Sequence, residues 1–196
     1  QWCKQMQDSL SEELKQILYL IGNISNNHHF DQNFKNKIEQ ILHILMKHIK
    51  QILSNSDIFN VFKNNKRNLL FLLQNKYLKL DQTISNYLQQ KPSYFNFFYP
   101  EIKEFSKDLV SDFDPTQIEN YEEKRQIGEN DSYICSLIRN DSINDFVSYV
   151  NRLNIYLSNQ IESSIFETNS FLIKNNNPTL IEYAAFFGSI QIFNYL

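Results

Sequence analysis

The chain has 196 residues, with 19 Lys or Arg against 22 Asp or Glu for a formal net charge of -3, and only 3 Gly and 4 Pro. So few turn formers exclude a β-sandwich or barrel, and so few glycines exclude a phosphate-cradling loop. Hydrophobic residues at 42% with 16 Phe and 11 Tyr can build a core, which excludes a disordered polyelectrolyte.

The first helix is expected to open at Ser9, where Ser9-Leu10-Ser11-Glu12 matches a capping box, and to continue through Leu14, Ile17, Leu18 and Ile21 to a loop at Gly22 to Asn27. From Phe30, the residues Phe34, Ile38, Ile41, Leu42, Leu45, Ile49, Ile52 and Leu53 keep one apolar face, the strongest periodic signal in the chain. Ser56-Asp57 suggests a short helical turn, and Leu69 to Leu88 continues at three- and four-residue steps until Pro92 stops it. The run Tyr94 to Pro100 carries no charge and reads as a loop plugging the bundle, followed by a helix from Glu101 to Leu109. Asp114-Pro115 opens a further helix that Gly128 ends as a left-handed cap.

Beyond Gly128 the helices shorten. Asp131-Ser132 and Asp141-Ser142 are read as caps for helices over Tyr133–Arg139 and Ile143–Leu153, which form a hairpin. The segment Asn154 to Pro178 has no helical period, and a second hairpin starts at Thr179 and turns at Gly188. Sliding one hairpin onto the other places Ile181 on Ile134, Ala184 on Leu137, Ala185 on Ile138, Ser189 on Ser142, Ile190 on Ile143 and Phe193 on Phe146. The offset is 188 minus 141, or 47 residues.

Thr179-Leu-Ile-Glu-Tyr-Ala-Ala-Phe-Phe-Gly-Ser-Ile-Gln-Ile-Phe-Asn-Tyr-Leu196 resembles the ankyrin pattern TPLHxAAxxGHxxIVxxLL at Thr179, Ile181, Ala184, Ala185, Gly188, Ile192 and Leu196, with Phe193 joining Ile192 in the second helix's stripe. It departs at Leu180, Glu182 and Ser189, where the pattern has Pro, His and His, and these losses predict weak helix initiation. With Gly128-Glu-Asn-Asp131, Ile138 to Ile143 and Ser164 to Asn169, the last third is similar to large protist ankyrin-repeat families that place a helical domain of unknown function ahead of the repeats. The 47-residue offset exceeds the usual period of about 33, and the excess is assigned to a finger over Asn154 to Pro178. The resemblance implies an array continuing beyond Leu196 and brings no catalytic residues.

Candidate chemistry is sparse. His28 and His29 read as surface residues in a loop, and His43 and His48 are five apart rather than the four of a helical ligand pair. Cys3 and Cys135 have no CxxC spacing, so neither a disulfide framework nor a metal site is expected, and a reducing, cytoplasmic setting is the default. Cys135 reads as a packed thiol, and Glu122 to Arg125 as a solvated, self-compensated face. Lys63, Lys66 and Arg67 form the one compact basic cluster, too small for a nucleic-acid footprint in a chain with four Arg. No segment approaches the roughly 20 apolar residues of a membrane span.

The expected architecture is therefore all-α: a helical bundle over residues 1–128, then over 129–196 a degenerate ankyrin-like hairpin, a finger and the start of an ankyrin repeat. The function this implies is that of a scaffold binding a protein partner, without enzymatic activity or cofactor. The competing expectations are an enzyme-associated regulatory domain, or self-association through the Phe30 to Leu53 face.

Overall fold

The computed structural model of the chain describes the backbone of residues 2–27, 32–174 and 177–196, and the side chains of 9–25, 33–173 and 177–196. Phe30, the histidines at 28 and 29 and the Cys3 side chain lie outside the described residues. The fold is all-α: the described residues form thirteen α-helices and one 3-10 turn, and Gln160 and Thr179 make an isolated antiparallel bridge. Two compact units divide the chain, residues 1–119 and 120–196.

The first unit begins with α1 (Trp2–Asn27) and α2 (Gln32–Ile49). α1 starts before Ser9 and runs on through Gly22, so the Ser9 motif lies inside the helix, where its hydroxyl donates to Glu13 at 3.4 Å. Leu18, Ile21, Ile38, Leu42, Met46 and Ile49 are buried in one core with α3 (Asn55–Phe62). α3 opens with a true capping box: the Ser54 hydroxyl accepts the Asp57 amide and the Asp57 carboxylate accepts the Ser54 amide, each at 3.1 Å. Lys15 pairs with Asp57 at 3.0 Å, joining α1 to α3.

The single helix expected from Lys66 to Pro92 is two, α4 (Lys66–Gln74) and α5 (Gln82–Gln89), separated at Lys76, whose φ of 57° belongs to the left-handed region. The expected aromatic loop is largely helical as α6 (Pro92–Phe97), with Pro92 in its first turn, and the helix expected over Glu101 to Leu109 is α7 (Tyr99–Phe105), which starts and ends earlier. Phe97 and Phe98 are both fully buried and meet edge to face, with Tyr94 also buried, so these rings fill the core from a helical segment. The Asp114 carboxylate accepts the Thr116 amide at 3.0 Å, but the helix expected from there to Gly128 is broken: a 3-10 turn over Pro115–Gln117 is separated from a helix over Tyr121–Ile127 by Asn120, whose φ of 55° is left-handed.

The second unit contains α8 (Tyr121–Ile127), α9 (Tyr133–Arg139), α10 (Ile143–Leu153), α11 (Ser170–Lys174), α12 (Leu180–Phe187) and α13 (Ile190–Tyr195). α8, assigned from sequence to the bundle, thus groups with the hairpins. Its end is the expected one, with Gly128 at φ 70°. α9 packs on α10 and α12 on α13, while α9 also lies against α12 and α10 against α13, so the two hairpins stack helix on corresponding helix.

Candidate functional site: the stacked hairpins and their finger

Both hairpins are built around the same turn. The Asp141 and Ser142 amides donate to the carbonyls of Ile138 and Leu137, and 47 residues later the Gly188 and Ser189 amides donate to those of Ala185 and Ala184. Asp141 (φ 49°) and Gly188 (φ 70°) both sit in the left-handed region. Glycine adopts this conformation freely and Asp tolerates it better than most residues.

Neither Asp-Ser pair caps its own helix. Ser132 and Ser142 make no side-chain cap bonds; Asp131 pairs with Lys124 at 3.0 Å and accepts from Ser164. The Asp141 carboxylate instead reaches the next hairpin, accepting the Ile192 amide at 3.0 Å and the Gln191 amide at 3.1 Å. Desolvation pushes this carboxyl up, but those amides and the Gln191 side chain outweigh it and hold it below the usual range. The Ser189 hydroxyl returns the contact, donating to the Ile138 carbonyl.

The predicted weakness of helix initiation at Thr179 is not present. Glu182, where the ankyrin pattern has His, closes a capping box: its carboxylate accepts the Thr179 amide at 2.8 Å while the Thr179 hydroxyl accepts the Glu182 amide. The Thr179-x-x-Glu182 spacing was the available signal.

Of the repeat-signature residues, Ala184 and Ile192 are fully buried, Thr179 and Leu196 half-buried, and Gly188 forms the turn. Ile181, Ala185 and Phe193 are exposed. The counterparts of Ala185 and Phe193 in the first hairpin are covered, Ile138 and Phe146 being 0% exposed where Phe193 is 43% exposed, while Ile134, the counterpart of Ile181, is half-buried. The difference follows from position, because α12 and α13 lie over the first hairpin and the outer face of the second remains open among the described residues.

A buried polar network ties the finger to the hairpins. Arg139 pairs with Glu129 at 3.0 Å and donates at 2.8 Å to both the Asn130 carbonyl and the Tyr183 hydroxyl. The Glu167 carboxylate accepts the amides of Asn130 at 3.2 Å and Asn169 at 2.8 Å. Loss of water on burial raises its pKa, helped by the nearby Glu129 charge, against the opposing amides and Arg139. Thr168 bonds the Gly128 carbonyl through amide and hydroxyl, and the Asn130 side chain donates to the Glu162 carbonyl at 2.8 Å. The finger base is closed where the Ile161 amide meets the Pro178 carbonyl at 2.8 Å. Sequence reading missed this network because its members are separated by up to 55 positions, Gly128 to Tyr183.

The remaining candidates are dispersed. Cys135 is fully buried beside Tyr183 and Arg139, and burial pushes its thiol up, away from the thiolate a nucleophile requires. Arg125, expected on a solvated face, is buried against the Tyr121 ring with its guanidinium on Glu122 at 2.8 Å. Lys66 is buried over the Tyr94 and Phe97 rings and Arg67 pairs with Glu39, so the basic cluster does not form one exposed patch. His43 and His48 are exposed, and His43 bonds the Tyr77 hydroxyl through Nδ1 at 2.6 Å. Among the described residues, no group of three or more His, Cys, Asp or Glu could hold a metal ion, and no helix is long and apolar enough to cross a membrane. Comparison with protein-family models, curated proteins and solved structures finds no match for the chain.

Proposed function

We propose that this chain is a protein-binding scaffold in which a helical unit precedes ankyrin-type repeats, with a binding rather than a catalytic role. The observation that carries the reading is the repeated hairpin: one turn geometry recurs at an offset of 47 residues, helix stacks on corresponding helix, and Ala185 and Phe193 present the surface whose counterparts Ile138 and Phe146 are covered. A helical repeat of this kind buries its two faces only against neighbours, so the outer face of α12 and α13 suits a further hairpin.

Partner recognition is assigned to the finger. Its base is fixed by Glu167, Thr168 and Asn130, and it displays Tyr156 and Leu157, of which Tyr156 is 76% exposed. An exposed Tyr contributes a large contact area at low entropic cost, which is why such residues recur at interaction hot spots. The test is affinity capture with the wild-type chain and with Tyr156→Ala plus Leu157→Asp as bait. A partner retained by the wild type and lost by the double variant, with unchanged helical circular dichroism, supports the reading. Equal retention by both removes the finger from it.

A further inference from the structure

Independently of the hairpins, the first unit holds a groove of about 560 Å3 between α2 and α4, within the size range of ligand sites. Phe71 and Ile44 give it an apolar floor and edge, and Asn36, Gln40 and His43 line its α2 wall. Glu39 is the one carboxylate in the lining, and Arg67 meets it at 3.3 Å. One end of the groove is cationic and is assembled from separate parts of the chain. The stripe of α2 that carries Asn36, Gln40 and His43 continues at the same four- and three-residue steps to Lys47 and Lys50. Tyr77, in the turn after α4, shares a hydrogen bond with His43 Nδ1 at 2.6 Å and packs beside Phe71 with ring centroids 6.3 Å apart. Lys50 lies over the Tyr77 ring and donates to the Lys76 carbonyl at 2.9 Å. Lys47, Lys50 and Lys76 therefore lie around Tyr77, and among the described residues no carboxylate pairs with any of the three.

We propose that this groove binds an extended acidic peptide segment, with an apolar side chain against Phe71 and Ile44 and carboxylates at Lys47, Lys50 and Lys76. Ammonium groups without a carboxylate partner select an anionic occupant, and the apolar floor selects one that carries an apolar side chain beside its charge. Gln40, His43 and Ile44 are all exposed, so the trough is open along its length. It suits a chain running through it rather than a small molecule, whose site covers most of the ligand surface. Nucleic acid would require a longer track of phosphate contacts than these lysines supply, in a chain of net charge -3. A bilayer surface would meet Ile44 but not Phe71, which is half-buried at the groove floor.

Fluorescence anisotropy of a labelled Asp-Asp-Phe-Leu-Asp-Asp peptide titrated with the 196-residue chain tests this. The wild type is expected to bind saturably with a Kd below about 1 mM, more weakly as salt is raised, and not to bind the Lys-Lys-Phe-Leu-Lys-Lys analogue. Lys47→Glu with Lys50→Glu, both at exposed positions, should weaken binding roughly ten-fold with unchanged helical circular dichroism, and Ile44→Ser roughly three-fold. Lys107→Glu with Arg152→Glu makes the same change in net charge at exposed positions that do not line the groove, and should bind as the wild type does. The proposal is overturned by an absence of saturable binding, by equal losses from the two charge-reversed pairs, or by tighter binding of phosphatidylserine vesicles or oligothymidylate that the Lys47→Glu, Lys50→Glu variant loses.

Discussion

Replacing Asp141 with Ala removes the acceptor that the first hairpin supplies to α13. Two amides, Gln191 and Ile192, lose their partner together, and Ser189 offers no replacement because its hydroxyl is committed to Ile138. Losing a side-chain cap costs about 0.5–2 kcal/mol, and losing a carboxylate at a helix N-terminus about 0.3–1 more. A sum near 1.5 kcal/mol predicts roughly ten-fold faster native-state hydrogen exchange at Gln191 and Ile192. The folded carboxyl titrates below its ordinary value of 3.8, so its contribution is complete above that value and disappears as pH falls through the lower, folded one. Asp141→Asn, which keeps one side-chain acceptor, should lose less protection. Unchanged exchange at both amides in the Ala variant would refute the cap between hairpins.

Three further outcomes follow from the same structure. Gly188→Ala forces a Cβ into φ 70° with no neighbour within 4 Å to clash, so the cost is conformational alone, about 1 kcal/mol by urea unfolding. Glu167 has a folded pKa above its ordinary 4.5, so the native state holds its proton more tightly; the urea midpoint for exposure of Cys135 should fall as pH rises from that value through the raised one. Glu167→Gln should flatten that slope. Phe97→Ala empties a fully buried site in the first unit and should cost about 3–5 kcal/mol, measured by chemical denaturation.

What the sequence disclosed and concealed divides along physical lines. α2 was legible because Ile38, Leu42, Leu45 and Ile49 recur at steps of four, three and four. α6 was not, because its six residues are too few to display a helical period and its first turn opens on Pro92, which read as a stop, whereas most of α7 lies in the helix expected from Glu101. The break between α4 and α5 hides in a left-handed Lys76, where neither Gly nor Pro marks it. The hairpin turn was visible through Gly188 and its alignment with Asp141. The destination of the Asp141 carboxylate was not, since a helix cap and a contact to the next hairpin use the same residue type. Likewise the Arg139 network joins residues that only the closed finger brings together.

The functional reading rests on another polypeptide meeting the second unit. A photo-crosslinking amino acid placed in turn at position 156 on the finger, at 193 on the open hairpin face, and at Val110, which is 94% exposed in the first unit, tests it most directly. The account predicts a heterologous polypeptide joined through position 156 and none through 110. Crosslinks through 110 alone, with 156 and 193 silent, would contradict it.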